Sequence, residues 1–131
     1  MIKREIIAKS DFIISFGSML ADDKKDIRNS IIESIAKTNA KFTYMHPIDN
    51  IDLKLYYTQF IKYEVGSEEG ICALLMDTFI KECDEKTRKF INDLDLGYIS
   101  GESSAGEEEF EESYSNYLEE KNKLLIIGDD L

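Results

Sequence analysis

Tryptophan is absent, and histidine and proline occur once each, side by side at His46-Pro47. A single proline leaves most of the chain free for regular backbone, and frequent Ile, Leu and Phe exclude a disordered chain. Cysteine occurs twice, at Cys72 and Cys83, with no CxxC spacing and with the one histidine far away. That set makes neither a zinc-type ligand group nor a disulfide framework, so two reduced thiols are expected. No apolar run reaches the length that crosses a bilayer. The opening stretch MIKREIIAKSDFIISFGSML is interrupted by Lys9, Ser10 and Asp11 and does not read as a signal peptide. Neither GxGxxG nor a GxxxxGK phosphate loop is present.

Positive charge is also missing over a long stretch. From Phe90 to Glu120 there is no Lys or Arg, while ten Asp or Glu fall there, so most of the net charge of −11 is concentrated in that quarter of the chain. The balance repels nucleic-acid phosphates and anionic membrane surfaces, which excludes a nucleic-acid partner and argues against direct membrane insertion. The acidic stretch reads first as a solvated helix face, and second as a docking surface for a basic partner.

What is present is enough for one core: 131 residues, 43% of them hydrophobic. Residues 1–131 read as a single α/β domain, with an acidic helical stretch at about 102–122. DFIISF is a compact apolar run closed by Gly17-Ser18, the signature of a strand buried on both faces. ADDKKDIRNSIIESIAKT then places Ile27, Ile31, Ile32 and Ile35 on one helical stripe, with Asp22 and Asp23 as N-cap candidates and Asn39 at the exit. AKFTYM is a second strand, stopped by His46-Pro47. Strand, helix, strand in this span is a βαβ unit with parallel strands. TQFIKYEV is a short third strand or extended piece. Gly66-Ser67 follows, with Ser67 as N-cap of a helix that buries Ile71, Leu74, Leu75, Thr78 and Phe79. DEKTRKFINDL is a further helix, and GYISGESSAG reads as an exposed loop. EEEFEESYSNYLEEKN is an acidic amphipathic helix burying Phe110, Tyr114, Tyr117 and Leu118, and KLLIIGDDL carries a last buried strand. The predicted fold is a Rossmann-like αβα sandwich with a mostly parallel sheet. Gly128-Asp129-Asp130 is a strand-to-loop exit that such a sheet continues into another helix, so the chain is expected to be excised from a larger subunit.

Ligands of open α/β sheets bind at the carboxyl ends of the strands. The candidate rim is therefore Gly17, Ser18 and Met19, then His46, Pro47 and Asp49, then Val65, Gly66, Ser67 and Glu68. Asp22, Asp23, Glu68 and Glu69 at the following helix starts already answer the helix dipoles and repel phosphate. His46 has no second histidine or cysteine to work with and stands before the proline, which favours a turn role. Asp129-Asp130 reads as a loop start rather than a metal site. No nucleophile–base pair is marked by spacing, and no catalytic or metal-ligating residue is assigned.

AKSDFIISFGS, AKFTYMHP and KYEVGSEEGICALLMDTFI, in this order, resemble the molybdopterin oxidoreductase family. The longer words YMHPI, KYEVGSEEG, LDLGYISGES and KLLIIGDDL are similar to the branch of that family found in the large peripheral-arm subunit of the proton-pumping NADH-quinone oxidoreductases, the respiratory complex I enzymes. The resemblance covers most of the chain. In the molybdenum enzymes, Asn-Pro, Asp-Pro-Arg and Pro-Gly-Thr-Asp motifs help hold a pyranopterin guanine dinucleotide. Here Met19-Leu20 stands for Asn-Pro, and His46-Pro47-Ile48 for Asp-Pro-Arg, so the phosphate-pairing arginine is missing. Val65-Gly66-Ser67-Glu68 stands for Pro-Gly-Thr-Asp and keeps the turn.

The resemblance implies a non-catalytic structural and assembly domain with a vestigial rim at Gly17, Ser18, His46, Gly66, Ser67 and Glu68. It implies no cofactor or metal in this chain, and iron–sulfur clusters elsewhere in the parent subunit. The partners would be other subunits of the respiratory complex, at the cytoplasmic side of the bacterial inner membrane, held peripherally. Two other classes fit the residues less fully: a cofactor-holding piece of a true molybdopterin enzyme such as a formate dehydrogenase, and a small acidic module that binds a basic protein.

Overall fold

The computed structural model describes residues 4–130. Strands β1 (Phe12–Phe16), β2 (Lys41–Met45), β3 (Gln59–Ile61) and β4 (Lys123–Ile127) form one sheet in the order β3-β2-β1-β4. Every pairing is parallel, with Ile14 opposite Thr43 on one side and Leu125 on the other. The helices are α1 (Arg4–Lys9), α2 (Lys25–Thr38), α3 (Glu68–Phe79), α4 (Glu85–Asn92), α5 (Leu96–Ser103) and α6 (Glu107–Leu118).

Strand periodicity divides the core in two. Phe12, Ile14 and Phe16 point to one face, where they meet Ile71 and Leu74 of α3 and Phe110 of α6. Ile13, Phe42 and Tyr44 point to the other, against Ile7 of α1 and Ile31 of α2. The result is a three-layer α/β sandwich, as the sequence implies. A strand with both faces covered has no use for alternation, which is why DFIISF is apolar throughout.

Asn39 ends α2 in the left-handed conformation (φ 55°), and its N–H returns to the Ile35 carbonyl. The start of α2 departs from expectation. A 3-10 turn at Asp22–Lys24 precedes it, and neither Asp22 nor Asp23 caps a helix through its side chain. The Asp22 carboxylate instead faces the Arg28 guanidinium at 3.4 Å. Ser67 is the N-cap residue of α3, as the sequence places it, but its hydroxyl donates to the Glu64 carbonyl at 2.5 Å rather than accepting from the helix, which tightens the turn before it.

Three further expectations are corrected. GYISGESSAG is not a loop, because most of it lies in α5. The Asp95 carboxylate caps that helix by accepting from the Tyr98 N–H (3.1 Å), Leu96 and Ile99 pack on the core, and Ser104 closes it with φ 62°. The segment's glycines and serines hid a helix held by its cap and its packing. Leu118 is exposed rather than buried, since α6 ends there beyond the sheet. Strand β4 is an edge strand whose Leu125 and Ile127 remain largely exposed, with only Ile126 buried. Helix α1, which no pattern in the sequence marks, tucks Ile7 beneath the sheet. Both cysteines are free thiols, and no described helix is long and apolar enough to cross a membrane.

Candidate functional site

In a sheet ordered β3-β2-β1-β4, the chain winds outward from β1 to β3 and then returns to the other side of β1. The reversal falls between β1 and β4, and the crevice at their carboxyl ends is where such folds place ligands. Its walls are the turns Gly17–Met19 and Gly128–Asp130.

Those walls are stitched together by the chain's own groups. The Gly128 N–H donates to the Phe16 carbonyl and the Asp130 N–H to the Gly17 carbonyl, both at 2.8 Å. Gly17 takes a left-handed φ of 83°, which the turn needs and a glycine gives freely. Gly128 lies so close that a Cβ on it would run into the Gly17 backbone. The Asp130 carboxylate then turns inward. Its Oδ2 accepts the Met19 N–H at 3.0 Å and lies 3.2 Å from His46 Nε2.

His46 is buried, with its ring stacked on Tyr44 at 6.0 Å. Its Nδ1 accepts the Ile48 N–H at 3.0 Å, so the proton of the neutral ring sits on Nε2 and is directed at Asp130. His46 thus holds the turn at the proline, as its place in the sequence suggests, and makes a second bond to Asp130 that spacing could not reveal. Tyr44 donates to the Ile48 carbonyl at 2.9 Å and fixes the same turn. Burial, then the nearby Asp49 and Asp130 carboxylates, raise the Tyr44 phenol far above its ordinary range.

Asn50 completes the support. Its Nδ2 donates to the Met19 carbonyl at 2.8 Å while its Oδ1 accepts the Asp52 N–H at 2.9 Å. Between these contacts Leu20 is held at φ 55°, a strained conformation for a leucine, with its side chain buried and its N–H on the Ser18 hydroxyl.

The remaining rim residues form a separate cluster. Gly66 adopts φ 90°, its N–H reaches Glu68 Oε1 at 3.4 Å, and the Ser67 N–H bonds the Glu64 carbonyl. Glu64 is tied in turn to Ser104 at 3.0 Å. So the structure brings Gly17, Ser18 and His46 together with Asp130, and leaves Gly66, Ser67 and Glu68 in a second turn. Tyr63 stands between them. It is buried edge-on to Phe16 (5.6 Å), and its hydroxyl has no hydrogen-bond partner among the described residues. Burial, followed by the charges of Glu68 and Asp130, pushes its phenol up to about 12. Burial and the adjacent Glu69 and Glu68 likewise raise the Cys72 thiol, the reverse of what a reactive cysteine requires.

Sequence reasoning did not place Asp130 in the crevice, and it missed Asn50 and Tyr63. Asp130 lies 84 residues from His46, and nothing local marks the pair. The signal available was the strand order, since β4 beside β1 brings the residues after both strands together. Among the described residues, no three His, Cys, Asp or Glu side chains converge as a metal-binding group.

No family model matches this chain, and no curated protein matches it. Among solved structures, acetylene hydratase from Pelobacter acetylenicus is similar, with a TM-score of 0.73 and 9% sequence identity over 94% of this chain. The match covers 20% of that protein, so this chain spans about a fifth of its length. At that identity the likeness is one of fold: an α/β sandwich of the kind found within a much longer enzyme chain.

Proposed function

We propose that this chain is a structural domain of a large oxidoreductase subunit, similar to the large peripheral-arm subunit of the proton-pumping NADH-quinone oxidoreductases, and that it catalyses nothing by itself. Its role there is to pack beside the electron-transfer domains and support assembly with other subunits. The complex would sit peripherally on the cytoplasmic side of the bacterial inner membrane, and its iron–sulfur clusters would lie elsewhere in the parent. The observation that carries this proposal is the crevice between β1 and β4. Its backbone donor, the Met19 N–H, is taken by Asp130, and its buried histidine is turned onto the same carboxylate.

A pyranopterin guanine dinucleotide does not suit these residues. The Asp130 carboxylate already takes the Met19 N–H and faces His46 Nε2, and its charge repels another anion. The position of the expected arginine is Ile48, whose side chain is exposed and carries no charge. Glu68 and Glu69 add negative charge at the start of α3.

A second reading is favoured by the fold likeness, because acetylene hydratase is itself a molybdopterin enzyme. In that case the chain is a piece of a true molybdopterin enzyme such as a formate dehydrogenase, and the turns at Gly17, His46 and Ser67 form part of a working pocket. Elemental analysis of the native polypeptide that contains this chain separates the two. Several iron atoms per chain without molybdenum are expected; about one molybdenum per chain would overturn the structural role.

A further inference from the structure

We infer that His46 is an acid-sensitive catch on the turn after β2: protonation of its ring changes Nδ1 from acceptor to donor and releases the Ile48 N–H, while Nε2 stays on Asp130. The inference rests on the two bonds of the ring and is independent of how the crevice is read.

The neutral ring ties two segments at once. Its Nδ1 accepts the Ile48 N–H at 3.0 Å, and its Nε2 lies 3.2 Å from Asp130 Oδ2. An imidazolium carries a proton on both nitrogens and accepts at neither. Nδ1–H and the Ile48 N–H are then two donors face to face, and their bond is lost. The Asp130 bond responds in the opposite sense, because a charged donor holds a carboxylate more strongly than a neutral one. One proton therefore exchanges a two-sided tie for a one-sided tie.

The surroundings decide which part yields. The ring is buried and stacked on Tyr44 with 9° between the planes, so turning it would break the stack and forfeit Asp130. The His46 N–H donates to the Ile61 carbonyl at 3.3 Å, and the Ile48 carbonyl accepts from the Tyr44 hydroxyl at 2.9 Å. Both ends of the short turn are held. The Pro47–Ile48 peptide between them is the group left to rotate.

The charges around the ring favour the proton. Asp130 reaches it from the turn after β4, and among the described residues no Lys or Arg pairs with that carboxylate; Lys24 pairs with the adjacent Asp129 at 3.2 Å. Asp49, in the same turn as the ring, lies 3.2 Å from the Tyr57 hydroxyl and 3.7 Å from Lys54 Nζ. Tyr44 on β2, Tyr57 before β3 and Tyr63 after it all have phenols raised above their ordinary range, by burial first, so all three stay neutral in acid. Burial opposes a charged ring, and the carboxylate in contact with it offsets that cost.

His46 is the one histidine of the chain, so its ring signals are assigned without a variant. Long-range ¹⁵N correlation spectra of the full chain, recorded from about pH 8 to about pH 5, show which ring nitrogens carry protons across the range in which histidine ordinarily changes charge. The expected result is a proton on Nε2 alone at the upper end and on both nitrogens at the lower. The Ile48 amide shift should follow the ring with the same midpoint, and its exchange protection should fall about tenfold or more. The Met19 amide, bonded to Asp130, should keep its protection. His46→Asn leaves an acceptor two residues before the Ile48 N–H but no ring to protonate, so its Ile48 amide should show no such transition. A ring that stays neutral down to about pH 5 would overturn the proposal. So would an Ile48 amide that ignores the titration of the ring, or one that titrates alike in His46→Asn. If that variant fails to fold, the joint titration of ring and amide in the unaltered chain still decides.

Discussion

Replacing Tyr63 by phenylalanine removes one oxygen atom and should stabilise the protein. The hydroxyl is buried with no partner among the described residues, and a buried unpaired polar group costs about 1–3 kcal/mol. The ring itself, edge-on to Phe16, is left in place, so Tyr63→Phe should gain about 1 kcal/mol at pH 7 after small packing losses. Alkaline pH supplies an independent check. Burial chiefly, with Glu68 and Asp130 behind it, raises the folded-state phenol from 10 to about 12. A phenol that holds its proton longer in the folded than in the unfolded state contributes stability that is intact below pH 10. That stability is lost as pH rises through the folded-state value. Two units correspond to about 2–3 kcal/mol. Tyr44 shifts in the same direction and survives in the variant, so the variant's stability still falls at high pH, but less steeply. Urea unfolding of both proteins at pH 7 and across pH 9 to 12 reads the two effects together. The gap between them should widen with pH. A variant less stable than the parent at pH 7, or two curves that run parallel to pH 12, would refute the orphaned phenol.

Ile31→Ala and Leu74→Ala each empty a fully packed position on opposite faces of the sheet and should cost about 2–5 kcal/mol in urea unfolding; losses under about 0.5 kcal/mol at both would contradict the two-sided core. Glu108→Ala and Leu118→Ala touch exposed side chains of α6 and should change stability by less than about 0.5 kcal/mol by the same measurement. Gly128→Ala forces a methyl against the Gly17 backbone and should cost about 1–3 kcal/mol, with the amide shifts of Gly17 and Asp130 displaced in a ¹⁵N correlation spectrum.

The sheet was legible because its strands announce themselves. DFIISF and AKFTYM are apolar runs stopped by Gly17 and by His46-Pro47, and Asn39 marks the helix end between them. The rim's parts were legible for the same reason, since glycines mark turns after strands and Gly17 and Gly66 both adopt positive φ. What failed depends on tertiary contact. Gly97, Ser100 and Gly101 argue locally for a loop, but packing of Leu96 and Ile99 on the core outweighs that weak preference and makes α5. KLLII reads as a buried strand until its place at the sheet edge is known. The closure of the crevice by Asp130 was invisible for a deeper reason. It joins residues 19, 46 and 130, and only the return of β4 to the side of β1 brings them within bonding distance.

We propose that the crevice at the carboxyl ends of β1 and β4, where Asp130 meets Met19 and His46, holds no nucleotide. A titration of the ¹⁵N-labelled chain with guanosine diphosphate tests it most directly, following the amides of Gly17, Met19, His46 and Gly66. No saturable shift is expected at these residues up to millimolar ligand. Saturation at the same amides with a Kd below about 1 mM would contradict the claim and make the rim a working nucleotide site.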